Sequence, residues 1–215
     1  MSRLNLRSAM LSFNEELQRQ RWDDHRFYHQ SRINQSLHLL SACTFIVAYV
    51  MLFIDPARAA ILGWLVAMIL RQTGHFFFEP TSFDHINQAS HEYKESIKTG
   101  YNLTRKIILH SLWFAIPFLI WLSPTCLDLL PPYDGLSGLI DRIGFAWLWF
   151  AALALLTRTI FLALTQNWMT GFAWFTKIIT DPFHDIKMYY KSPIYLLQGQ
   201  KLDPMTHVTR CPIEM

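Results

Sequence analysis

Two pairs of apolar runs, each pair closed by a turn, limit what this chain can fold into. Residues 39–54 and 57–70 make the first pair, and Asp55-Pro56 is the turn between them. Residues 107–122, extended through Pro124 to Leu130, and residues 143–164 make the second. Pro131-Pro132-Tyr133-Asp134-Gly135 separates those two as a strong turn. The first two runs fall short of the ~20 residues that a full span wants, but their flanks supply the rest. Arg58 and Arg158 are the charges inside the apolar runs. Arg158 is expected to snorkel or to face a polar interior. The expected fold is all-α: a polytopic membrane bundle of about four transmembrane helices in two hairpins, with interfacial helices beside them. Two buried helices of a soluble domain are the alternative for the first pair.

Only 16% of the residues are charged, against roughly 25% in soluble domains. Eight tryptophans and sixteen phenylalanines suit a bilayer interface. No Gly/Ser linker divides the chain, so residues 1–215 read as one membrane domain. Its parts are an interfacial segment (1–35), a first hairpin (36–70), a polar segment (71–106), a second hairpin (107–164) and a tail (165–215). Cys43, Cys126 and Cys211 are far apart and fit no CxxC spacing. The first apolar run starts after some 35 polar residues, which speaks against a cleavable signal peptide. Leu11, Phe13, Leu17 and Trp22 suggest an amphipathic helix on the membrane. In the tail, residues 168–179 suit a short interfacial helix. Asp181-Pro182 reads as an N-cap with proline at the first helical position, opening a new helix through Tyr190.

Lysine and arginine set the orientation. Six lie before Asn34, five between Arg71 and Lys106, and five in the tail, whereas the two turns hold one each. With four spans the rich segments fall on one side, which the positive-inside rule makes cytoplasmic. A multi-pass protein of the bacterial inner membrane or the endoplasmic reticulum is expected, with cytoplasmic termini. The net charge of +3 is small and distributed between apolar runs, so it reads as an orientation signal and not as a nucleic-acid patch.

All nine histidines lie outside or at the edges of the apolar runs, on that same side. Imidazole is the commonest protein metal ligand. His25 and His29 are four apart and share a helix face, as do Asn34 and His38. His29 and His38 are nine apart, so the chain must bend near residues 30–33 if both bind one metal. His75 and Glu79 are also four apart, a sensible pair for non-haem iron. Gly74 beside them would let another helix or a substrate approach closely. Each pair alone is equally compatible with polar side chains at a water boundary. His85, His91, His184 and His207 suit the surface, and His110 suits an interfacial anchor. There is no GxSxG, P-loop or GxGxxG motif, so any chemistry is expected to be metal chemistry.

Phe27-Tyr28-His29, then Asn34 and His38 before the first span, then Gly74-His75-Phe76-Phe77-Phe78-Glu79-Pro80 after the second, resemble the 2-hydroxy-fatty-acid dioxygenase family. The resemblance covers roughly residues 22–90. It implies an Fe(II) site built from His29, His38 and His75, with Asn34 and Glu79 as further motif residues. It also implies a lipid or fatty-acid substrate, shortened by one carbon with dioxygen. The family commonly follows the glutamate with a basic residue and Pro-Ala, whereas this chain has Pro80-Thr81-Ser82. A di-iron lipid hydroxylase or desaturase is the rival enzyme, but only His25-xxx-His29 fits its dense histidine boxes. A non-catalytic membrane scaffold or ligand carrier is the rival from another class.

Overall fold

The computed structural model describes residues 12–127 and 129–205. Among the described residues the chain is helical, with isolated bridges at Ser31–Leu202 and Asp84–Ala89 and no strand. Helix α1 spans Phe13–Tyr28 and α2 spans Arg32–Met51. Helix α3 (Pro56–Leu62), a π-helical turn (Gly63–Met68) and α4 (Ile69–Phe77) run on as one span. Helix α5 (His91–Ile97) is a short piece of the polar segment; α6 spans Leu103–Leu122 and α7 Gly135–Thr165. The tail forms α8 (Trp168–Tyr189) and α9 (Ser192–Leu197). Four helices are long and apolar enough to cross a membrane: α2, α3 through α4, α6 and α7. The fold class is therefore the expected all-α bundle.

The helix ends follow local chemistry. Ser12 and Glu15 form a capping box at α1, each side chain bonded to the other's backbone N–H. Asp55 caps α3, with Pro56 where a missing N–H costs nothing. The third run ends earlier than expected. Helix α6 stops at Leu122, and residues 124–127 are turns, with Cys126 and Leu127 in the left-handed region. Proline at 124 cannot carry the helical bonding onward.

Two other elements correct the sequence reading. The helix exists, but its buried residues are mixed: Glu16, Gln20 and His25 turn inward together with Phe27 and Tyr28, and Gln20 donates to the Thr170 carbonyl of α8. Phe13, Leu17 and Trp22 are half-buried, and Leu11 lies outside the described residues. In the tail, Asp181-Pro182 opens no helix, because α8 runs through it. The Asp181 carboxylate accepts from Lys177 at 2.7 Å and faces Arg71 at 3.4 Å, so it does not cap. Proline weakens the bonding of the turn before it, and there Tyr49 donates its hydroxyl to the Ile179 carbonyl.

The two hairpins meet along α3 and α7. A Cβ on Gly144 would collide with the Ala57 carbonyl, so only glycine lets these backbones touch. Beside that contact, Trp64 donates to the Trp147 carbonyl and Trp147 to the Trp113 carbonyl, at 3.2 and 3.1 Å. Trp64 and Trp113 stack 4.8 Å apart. The outer faces of α6 and α7 leave Phe114, Trp121, Trp149 and Leu153 exposed, as apolar spans facing lipid do.

Candidate metal centre

His29, His38 and His75 converge. Their ligating nitrogens lie within 4.8 Å of one another, and the His29 and His38 Nε2 atoms are 3.3 Å apart. Two devices bring them together. The first is a bend: α1 ends at Tyr28, and Ser31 caps α2 by accepting from the Asn34 N–H. The chain breaks at residues 29–31, which cancels the half-turn mismatch of a nine-residue spacing. The tail clips this bend in place, since Arg32 N–H donates to the Lys201 carbonyl and Asp203 N–H to that of Gln30. The second device is Gly74. A Cβ there would overlap the Asn34 Oδ1 and press on the His38 ring. Without one, α4 sits against α2 and delivers His75 to the other two. Asn34 is thus a spacer and anchor: fully buried, it donates to the Tyr28 carbonyl at 2.8 Å and fixes the bend.

Each ring has an oxygen behind its Nδ1. For His29 it is the Asp24 carbonyl at 2.9 Å, for His75 the Glu79 carboxylate at 2.8 Å, and for His38 the Asp185 carboxylate at 3.5 Å. For His29 and His75 the acceptor assigns the proton to Nδ1 and leaves the Nε2 lone pair pointing inward, whereas the His38 Nδ1 faces Asp185 without a hydrogen bond. Burial first, and His38 second, push the His29 pKa well below the usual histidine value. Its ring is therefore neutral, the form that binds metal. The His29 and His38 Nε2 atoms, 3.3 Å apart, are close enough for one metal ion to be bound by both, since such bonds are about 2.1 Å long. The donor set fits a first-row metal ion, and the oxygens behind the rings are the partners that ligating imidazoles normally have.

The supporting layer comes from the far end of the chain. Asp185 also receives Arg71 at 3.0 Å, and Lys177 bridges Asp24 and Asp181 at 3.1 and 2.7 Å. Tyr189 stacks on His29, and its hydroxyl meets His25 Nδ1 at 3.1 Å. Burial, followed by Asp185, raises the Tyr189 pKa well above the ordinary phenol value, so it keeps its proton. His25 thus belongs to the wall of the site and not to the triad. Glu79 stands just past the end of α4 and is buried, which raises its pKa, while Lys98 at 3.5 Å opposes that. The sequence places His184 at the surface, and the residue that reaches the site is its neighbour Asp185. His85 is exposed, and His91 and His184 are half-buried away from the triad. His207 lies outside the described residues.

A cavity of about 500 Å³ opens beside the triad, with His75 in its wall. Its polar end carries Arg71, Lys98, Lys106 and Lys177. Its other end is apolar and runs between the hairpins past Phe45, Ala60, Trp64 and Leu148. Its lining along the second span extends from His75 to Ala59, roughly 24 Å of helix. The fold and the site define a helical membrane bundle with a three-histidine centre at the mouth of an amphiphilic cavity. No family model, no curated protein and no solved structure matches this chain.

Proposed function

We propose that this protein is a membrane-bound Fe(II)-dependent oxygenase acting on a lipid, and that its reaction shortens a 2-hydroxy fatty acid by one carbon. The observation that carries this reading is the position of the triad. Three imidazoles converge, and one of them, His75, lines a cavity that joins a charged polar end to an acyl-sized apolar chamber. His29, His38 and His75 would hold the iron, which when bound supplies dioxygen activation and open positions for the 2-hydroxy-carboxylate. The protein's own part is to fix the rings from behind, to seat the chain in the dry chamber and to leave the carboxyl end at the mouth. The reaction balances as a four-electron oxidation. The C1–C2 bond breaks, C2 becomes the new carboxyl carbon, C1 leaves as carbon dioxide, and the remaining oxygen leaves as water.

The orientation belongs to the same proposal. The basic segments, the triad and the cavity mouth sit on the cytoplasmic side of a bacterial inner membrane or the endoplasmic reticulum. Reporter fusions at Pro132 and at the C-terminus are expected to report opposite sides. The same side for both would end the four-span arrangement.

Metal analysis of purified protein, combined with product analysis, tests the function. One iron per chain and oxygen-dependent conversion of 2-hydroxyhexadecanoate to pentadecanoate is the expected result. Two irons would indicate a di-iron hydroxylase or desaturase. No metal at all would indicate a scaffold or carrier whose histidines are incidental.

A further inference from the structure

The cations around the cavity are not equivalent. Arg71 pairs with Asp181 and Asp185, Lys177 with Asp24 and Asp181, and Lys98 with Glu79 and Glu95. Lys106 lines the same cavity from the first turn of α6. Among the described residues its amine has no hydrogen bond and no carboxylate within 4.0 Å. Its carbonyl is occupied by the His110 Nδ1 at 2.6 Å. A lysine beside a largely apolar chamber with no carboxylate in contact is costly. Glu79, Asp24 and Glu95 attract it from a distance, but none reaches its amine as acids reach its three neighbours. The missing partner is then supplied by whatever fills the cavity.

The chamber says what that occupant is. It is largely apolar, runs roughly 24 Å along the second span and has a volume of about 500 Å³, a shape that takes an acyl chain lengthwise. We infer that Lys106 is the specificity-determining residue of the cavity, receiving the carboxylate of a single-chain lipid whose tail runs between the hairpins and whose head lies beside His75. The assignment rests on the oxygenase reading for its purpose, but not for its measurement, because binding needs neither iron nor dioxygen. By holding the carboxylate at the mouth, Lys106 sets which end of the lipid enters last and rejects neutral lipids of equal length.

The test compares equilibrium binding of hexadecanoate and of its methyl ester to the full chain in phosphatidylcholine nanodiscs, with binding to empty discs subtracted. Wild type is expected to prefer the acid by tenfold or more. Lys106→Met should bring the acid down to the ester and leave ester binding and metal content unchanged. Lys106→Arg should restore the preference. An acid preference that survives in Lys106→Met, or no preference in wild type, overturns the inference. If Lys106→Met loses ester binding too, Lys106→Arg decides: a retained preference supports the role and a lost one refutes it. Failure of the oxygenase reading looks different, with the acid preference intact and no iron or turnover.

Discussion

Both hairpins are long and apolar enough to cross a membrane, the second the more so, and they differ in what they bury. About a third of the most apolar window of α2 is inside the protein, against about a tenth of that of α6. The buried part of α2 is polar: Asn34, Gln35, His38 and Ser41 are sealed against α4 and α8. The second hairpin buries a tryptophan contact, Trp113 with Trp147, and one charge, Arg158, which donates to the Thr99 and Gly100 carbonyls. The first hairpin therefore seals a cluster of polar side chains at the candidate site, whereas the second meets its one buried charge with backbone carbonyls. The second closes the cavity from one side and lends it Lys106. Apolarity alone decides that a helix can enter a bilayer; the polar residues at one end decide which neighbours it must find there.

This division can be broken or sharpened by substitution. His38→Ala removes one of three ligands and should abolish stoichiometric iron, a loss of more than about 100-fold in affinity, beyond what removing a ligand's partner costs. Elemental analysis of the purified variant checks it, and iron retained at wild-type level would break the assignment of chemistry to the first hairpin. Trp113→Ala empties the contact of the second hairpin and should cost about 3–5 kcal/mol of stability. The iron bound per folded chain should stay constant; thermal unfolding and metal content, measured together, separate the two.

Gly74→Ala is an overpacking change, worth about 1–3 kcal/mol. Unlike Trp113→Ala it should also lower metal content, because it drives Asn34 and His38 away from α4. A variant that loses stability but keeps its iron would mean that the approach of α2 to α4 is not what positions His75. The smallest effect belongs to Glu79→Gln. It should keep the fold and weaken metal binding or turnover on the order of 10- to 100-fold, the usual worth of a carboxylate behind a ligating imidazole. Glu92→Gln, at the exposed start of α5, serves as its control and should do nothing. Equal behaviour of the two would leave Glu79 as a mere helix-end acid.

Much of this was legible in the sequence because it is local. Asp55-Pro56 and Pro131 to Gly135 separate spans, each standing at the start of the helix that follows it. The histidine triad was legible as a pair of motifs around one hairpin, and the necessary bend between His29 and His38 followed from their phase. What escaped was long-range. Asp185 and Tyr189 reach the triad from about 150 residues downstream, and nothing near them in sequence announces it. Asp181-Pro182 misled because a capping signal assumes a free carboxylate, whereas this one is claimed by Lys177 and Arg71. The buried polar side chains of α1 escaped for the same reason, since their partners lie on α8.

The distribution of the site along the chain has a further consequence, for the order in which it is made. His29, His38, His75 and Glu79 all lie in the first 79 residues. Asp185 and the stacking ring of Tyr189 are made about a hundred residues later. Chains fold from the N-terminal end as they emerge. Until α8 emerges, therefore, the growing polypeptide holds three imidazoles around one inserted hairpin with the side toward α8 still open. Docking of α8 then closes that side, and residues 201–203 clamp the bend. Helix α8 is the door of the site, and a metal ion would have its easiest entry before that door shuts.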